Sequence, residues 1–274
     1  QFIELRIQKL FKLGEIYISR PDFQTHIKNK SWQTAVDSIG PIMKEKEGKY
    51  IDRIFISDAE GILRSDFPVV QEIRGKDFSF RDWYQGVIRT KQLYLSEIYK
   101  RTAKPQVRVS AFTIPLLDNT NEIQAIVVLQ VRADIFWEWF NELKFGSNGK
   151  EIFSVDWKSQ VISRHNYSYP SHPEIVDYAS GKDVERVLQG RSGSEIVTEN
   201  KLQFLSSYVS IPQYRRGIIV RVPIAEIPKQ AVAASLRFPD NFVLFFAVFS
   251  NLIITVLFWV LLRAFLRTRG VFAS

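Results

Sequence analysis

The stretch from Lys76 to Tyr99, KDFSFRDWYQGVIRTKQLYLSEIY, places Arg81, Trp83, Tyr84 and Tyr99 in a short span between strand-like segments. Arg81 offers a planar fork of donors that fits a carboxylate in two parallel hydrogen bonds, and Trp83 and Tyr84 put rigid aromatic surface beside it. That combination reads as one wall of a pocket for a small polar ligand. A structural alternative pairs Arg81 with Asp77 or Asp82 and sends the aromatic rings into the core.

Catalytic constellations are missing from the rest of the chain. His26, His165 and His172 lie far apart with no i, i+4 pair to hold zinc, and the absence of cysteine removes disulfides and thiolate metal sites. Gly190-Arg191-Ser192-Gly193-Ser194 has the outline of a nucleophile elbow but carries Ser194 where the second glycine belongs, so it reads as a turn. Gly75-Lys76 and Gly181-Lys182 lack the upstream glycine and following Ser or Thr of a phosphate loop. The expectation is a region that is not an enzyme and uses neither metal nor cofactor.

The 274 residues, 46% hydrophobic and 14% aromatic, suffice for packed cores in about two domains. The net charge is +8, but the basic residues are scattered or flank an apolar span near the C-terminus, which argues against nucleic acid as a partner.

That span, Phe242 to Leu262, is 21 residues without a charge, long enough to cross a membrane as a helix. Arg263, Arg267 and Arg269 follow it, whereas Arg237 and Asp240 precede it, so the positive-inside rule puts the C-terminus in the cytoplasm and residues 1–238 outside the inner membrane. An outward-facing module with one inward-pointing helix needs something to signal to. A preceding span and a following output domain are therefore expected beyond Gln1 and Ser274.

Elements to position the pocket are legible in the periodicity. Phe2, Ile3, Leu5, Ile7, Leu10, Phe11, Leu13 and Ile16 form a helix-period stripe that Arg20-Pro21-Asp22 breaks, and a second helix runs from about Ser31 to Lys46 with Trp32, Val36, Ile39 and Met43 on one face. From Ile51 the period changes: Asp52 to Ser57 is a strand, Asp58-Ala59-Glu60-Gly61 a turn, and Ile62 to Ser65 the returning strand. Gln106 to Ile114 alternates, and Ile123 to Val131 is a dense apolar run typical of a buried strand. About a hundred residues on, Lys150 to Asp156 and Trp157 to Ser163 repeat the hairpin shape, with Asp156 in the place of Asp58. A short helix between Ile175 and Leu188, strands over Leu202 to Val209 and Gly217 to Val222, and a helix from Ile224 to Phe238 complete the outline.

A long N-terminal helix, two sheet modules each opened by a strand, Asp-containing turn and strand, and a C-terminal helix entering the membrane resemble the double Cache sensor domains of bacterial receptors. The resemblance covers about residues 1 to 238. In the amino-acid-binding branch of that family an Arg is followed by a Trp two residues on, a Tyr directly after, a further Tyr about fifteen residues later and an Asp after a later strand; Arg81, Trp83, Tyr84, Tyr99 and Asp134 fill those places here. The branch also has a Tyr five residues before the Arg, where this chain has Lys76, with Phe78 and Phe80 the nearby aromatics.

The resemblance implies an α+β fold: a helical spine (1–48), a membrane-distal PAS-like module with the ligand pocket (49–145), a membrane-proximal PAS-like module (146–238), the transmembrane helix (242–262) and the start of a cytoplasmic segment (263–274). It implies that Arg81 and Trp83 hold a carboxylate while Asp134, Tyr84 and Tyr99 take an ammonium, with Lys76 and Phe78 beside them. The partners expected are an amino acid, small carboxylate or amine, the membrane, and a second copy of the chain in a homodimer. The output would be a histidine kinase, with a chemoreceptor or diguanylate cyclase as other forms. The rival expectation is a module that binds no small molecule and instead dimerises or docks a periplasmic protein.

Overall fold

A computed structural model describes residues 2–142, 150–164 and 177–227. Three helices open the chain, α1 (Phe2–Ile18), α2 (Pro21–Lys28) and α3 (Trp32–Glu47), where the periodicity gave two and the resemblance implied one long helix. The division has a local cause. Pro21 occupies the first turn of α2, where its missing N–H costs nothing, and it cannot continue α1. Lys30 then turns the chain into α3 with a φ of 54°. Ile3, Ile7, Leu10 and Phe11 of α1 and Ala35, Val36, Ile39 and Met43 of α3 are the buried faces, at the i, i+3, i+4 spacing of an amphipathic helix.

Six strands form the first sheet: β1 (Ile51–Asp58), β2 (Leu63–Phe67), β3 (Tyr94–Leu95), β4 (Tyr99–Lys100), β5 (Arg108–Leu117) and β6 (Ile123–Arg132). The order is β2-β1-β6-β5-β3, with β4 also on β5, and all pairs are antiparallel. Both faces are covered. Ile54, Ile56, Val127 and Leu129 point to the core shared with α1 and α3, while Phe55, Ile126 and Val128 point to a second core that includes Trp83 and Val87 of α4 (Asp82–Thr90). Burial on both sides explains why β6 reads as a continuous apolar run.

After α5 (Ala133–Glu142), the second sheet comprises β7 (Glu151–Asp156), β8 (Val161–Arg164), β9 (Gly193–Glu199), β10 (Leu202–Ile211) and β11 (Arg216–Pro223), in the order β8-β7-β11-β10-β9. The helix α6 (Lys182–Leu188) packs Val184 and Val187 against Phe153, Val155 and Ile219 of this sheet.

The repeat glimpsed in the sequence is detailed. Asp58 Oδ1 accepts from the Glu60 and Ile62 amides at 3.2 and 2.8 Å, and Asp156 Oδ1 from the Lys158 and Gln160 amides at 2.9 and 3.0 Å. Gly61, at φ 90°, is matched by Ser159 at φ 60°. The carbonyls of both residues then accept from an incoming segment, Phe78 N at 2.9 Å in one half and Ala179 N at 2.9 Å in the other. In each half the hairpin lies beside the last strand of its sheet, and the strand before that one comes next.

Ile224–Glu226 forms a short 3-10 turn and Ile227 is extended, so the helix expected to start at Ile224 does not start there. The expected span Phe242 to Leu262 lies outside the described residues. Among the described residues no helix is long and apolar enough to cross a membrane.

Candidate ligand site

Arg81 is the residue before α4 and has extended backbone, φ −75° and ψ 144°, which keeps its side chain off the helix surface. The helix then buries Trp83, Gly86 and Val87, spaced for one face, and Trp83 meets Phe55 edge-on at 5.4 Å. Close approach needs Gly86: a Cβ there would lie 2.2 Å from the Tyr94 ring. Opposite, Tyr84 donates its hydroxyl to the Ala59 carbonyl at 2.7 Å, tying α4 to the β1–β2 turn.

The aspartates beside Arg81 are committed elsewhere. Asp77 accepts from the Ser79 amide at 2.7 Å, and Asp82 accepts from the Tyr94 hydroxyl and the Glu97 amide, each at 2.8 Å. The guanidinium of Arg81 instead lies between two aromatic rings, 5.1 Å from the Phe80 centroid and 4.8 Å from that of Tyr99. Its Nη2 reaches the Thr102 hydroxyl at 3.2 Å and the Lys100 carbonyl at 3.4 Å. Its Nε is buried without a hydrogen-bond partner.

That guanidinium borders a cavity of about 30 Å³ walled by Arg53, Phe55, Phe78, Trp83, Tyr99, Arg101, Thr102 and Gln130 among others. Among the described residues, three arginines and no carboxylate line it. Arg53 is held by the fully buried Asp66 at 2.8 Å, which Arg74 also binds at 2.7 Å, and the Arg53 Nε is a second buried donor without a partner. Arg101 pairs with Asp52 and donates to the Pro105 carbonyl at 2.8 Å. Tyr99 accepts from Gln130 at 3.1 Å, and burial pushes its phenol up to about 12, so its own O–H stays a donor at any physiological pH.

Of the residues singled out in the sequence, the structure therefore brings Phe78, Arg81, Trp83 and Tyr99 to one cavity. Tyr84, Lys76 and Asp134 are not in its wall. Lys76 is exposed, and Asp134 sits in the first turn of α5, where its carboxylate takes the Arg132 Nε at 3.1 Å. Arg53, Arg101, Thr102 and Gln130 are the polar lining residues that sequence reading missed. Arg53 and Gln130 fall in strands whose partners decide which side chains share a cavity, and adjacency on β1 and β6 (Arg53 opposite Gln130) is a property of register alone.

The equivalent place in the second sheet is filled by the protein itself. Gly181 precedes α6 as Arg81 precedes α4, and Arg221 of β11 fills the space, binding Asp183 through Nε and Nη2 at 2.8 and 2.9 Å and the Ser180 carbonyl at 2.9 Å. Burial raises the Asp183 carboxyl, but hydrogen bonds from Arg221 and Ser206 and the guanidinium charge outweigh it and leave its pKa below the ordinary value.

No protein-family model and no curated protein matches the chain. Solved structures do. The ligand binding domain of the Pseudomonas aeruginosa amino acid chemoreceptor PctB in complex with L-Arg is 15% identical, with a TM-score of 0.60 over 82% of this chain and 91% of that one. The sensor domain of the V. cholerae histidine kinase DctB is 12% identical, with a TM-score of 0.55 over 82% and 92%. The chain has the fold of these sensor domains. Its two antiparallel sheets with helices are the α+β part of the architecture that the double Cache resemblance implied. An extracellular ligand binding receptor from Desulfohalobium retbaense, 16% identical at a TM-score of 0.54, matches over 80% of this chain, which spans only 39% of the length of that receptor. Likeness at such identities is one of backbone, so what the cavity takes must be argued from its own side chains.

Proposed function

We propose that this chain is the sensing region of a bacterial membrane signalling receptor, and that its cavity binds a small carboxylate. Residues 49–145 are the membrane-distal PAS-like module that holds the ligand, 146–238 the membrane-proximal module, 1–48 the helical spine, and 242–262 the span that leads to the cytoplasmic segment begun by 263–274. The region works as a homodimer and carries no catalysis of its own. Output belongs to a cytoplasmic histidine kinase, or in other arrangements to a chemoreceptor or diguanylate cyclase module.

The observation that carries the ligand class is the cavity wall. Arg81 and Arg53 each have a buried Nε with no partner, Tyr99 and Thr102 add hydroxyls, and among the described residues no carboxylate lines the wall to receive an ammonium. A charge-assisted contact from a guanidinium to a carboxylate is among the stronger polar interactions available, and it satisfies donors that are otherwise buried at a cost. A zwitterionic amino acid would be held at one end only.

A space of about 30 Å³ holds one or two waters, so a ligand of several heavy atoms must part the wall. The segment that moves is 100–107, which Arg81 holds through the Lys100 carbonyl and the Thr102 hydroxyl. Ligand would take those donors over and release the segment. The shift in equilibrium equals the difference in affinity between the two states, and a hundredfold difference is about 2.7 kcal/mol.

The test is a thermal-shift screen with small mono- and dicarboxylates, amino acids and amines, with Arg81→Ala in parallel. Ligand at a hundred times its Kd stabilises by about 2.7 kcal/mol, several degrees for a protein of this size. Carboxylates are expected to give an Arg81-dependent shift. Shifts with amines alone, or with nothing, would overturn this assignment.

A further inference from the structure

A second cleft, of about 390 Å³, lies against the second sheet, away from the Arg81 cavity, with Trp157, Gly190, Ser210, Pro212, Arg215 and Arg216 in its wall. Arg216, the first residue of β11, is only 4% exposed. It ties the second sheet to the first: Nη2 donates to the Ser96 carbonyl and, at 3.1 Å, to the Ser110 hydroxyl, and Nη1 to the carbonyl of Arg215 at 3.2 Å. None of those acceptors is charged. Among the described residues no carboxylate lies within 4.0 Å of this guanidinium, and its Nε is buried without a partner.

Asp156 and Asp82 both act on the guanidinium through space but neither pairs with it; Asp156 stands opposite Arg216 in the register. Its Oδ1 takes the amides of Lys158 and Gln160, and its Oδ2 the Gln160 side chain at 3.0 Å and the Ile98 amide at 3.3 Å. A buried guanidinium with no carboxylate in contact still carries a desolvation cost of several kcal/mol, which an anion in contact would offset. Two further groups of the same cleft suit one. Trp157 Nε1 is also a buried donor without a partner, and the Arg215 guanidinium lies 4.3 Å over the Trp157 ring.

We propose that this cleft binds a small inorganic oxyanion, of the size of phosphate or sulfate, held by Arg216 Nε and Trp157 Nε1 beneath Arg215. The anion supplies a charge in contact with the buried guanidinium, at an arginine that joins the two sheets. Its occupancy therefore stiffens the joint between the module that holds the Arg81 cavity and the module nearer the membrane. The site is independent of Arg81.

The experiment is a titration of the full chain in detergent micelles with inorganic phosphate and sulfate at constant ionic strength, read by melting temperature and tryptophan fluorescence. Saturable stabilisation by at least one oxyanion is expected, weakened at least tenfold in Trp157→Phe, which keeps the ring under Arg215 and removes only the N–H, and unchanged in Arg81→Ala. Arg216→Gln should abolish it. Should that variant fold poorly, Trp157→Phe alone decides. No saturable stabilisation, or stabilisation that Trp157→Phe retains and Arg81→Ala loses, overturns the proposal; the second outcome would move the anion to the first cavity and leave the carboxylate reading of that cavity intact.

Discussion

Arg81 can hold a ligand because its neighbours leave it free. Asp77 and Asp82, the acids next to it in sequence, are both spent on backbone amides and a tyrosine hydroxyl, and the guanidinium is fixed by two rings and two oxygens. Arg81→Ala should weaken carboxylate binding at least about thirtyfold, roughly 2 kcal/mol, in a calorimetric titration. Arg81→Lys should recover little of it, since a point charge cannot reproduce a fork stacked between Phe80 and Tyr99. Tyr99→Phe should cost about 0.5 to 1.5 kcal/mol, and that cost should be the same at pH 6 and pH 9 because the phenol, pushed up to about 12, is protonated at both. A loss in affinity that grew between those pH values would show the phenol titrating in the range and contradict the role of neutral donor.

Elements bring these residues together by close approach more than by specific contacts. The helix α4 reaches the first sheet at Gly86, whose missing side chain admits the Tyr94 ring, and Tyr94 in turn holds Asp82 at the start of the helix. Gly86→Ala should destabilise the protein by about 1 to 3 kcal/mol in urea unfolding, because the added methyl overlaps the ring. It should also loosen carboxylate binding, since Arg81 directly precedes Asp82. Stability equal to the wild type would mean that Tyr94 relocates freely. At this scale much was legible: the stripe Trp32, Val36, Ile39 and Met43 is a helix face, and Asp58 and Asp156 open the two hairpin turns with the same amide contacts. The division of the N-terminal helix was half legible, through Pro21, but the extra helix α2 was not. Its eight residues carry too few apolar positions to declare a period.

For the molecule as a whole, the two sheets share a polar seam. The Ile98 amide meets Asp156, Arg108 donates to Gln160 at 2.9 Å, and Arg216 reaches Ser96. Buried hydrogen bonds of this kind couple the halves, so calorimetric unfolding should show one transition. Two resolved transitions would mean that the sheets melt separately. Acid should act through the second sheet. Because the folded pKa of Asp183 lies below its unfolded value near 4, its contribution is complete above about pH 4 and is lost as pH falls through the folded value. The melting temperature should therefore drop on acidification below about pH 4. Asp183→Asn should lower stability at pH 7 by at least about 2 kcal/mol, leaving Arg221 buried with less counter-charge, and should flatten that acid limb.

The sequence alone determined the local grammar: helix faces from the 3.6 period, strands from alternation and apolar runs, turns from Asp and Gly, and an arginine set among aromatics. These depend on neighbours within a few positions, and that range is where side-chain spacing and backbone preference act. Tertiary structure alone decided the company Arg81 keeps. Arg53, Arg101 and Gln130 join its cavity because β1, β4 and β6 come together in one sheet, and Asp134 is absent from the wall because β6 ends and α5 begins before its side chain can reach it. Strand register and ion-pair choice are set by the whole chain's packing, where moving one residue along a strand turns every side chain to the other face.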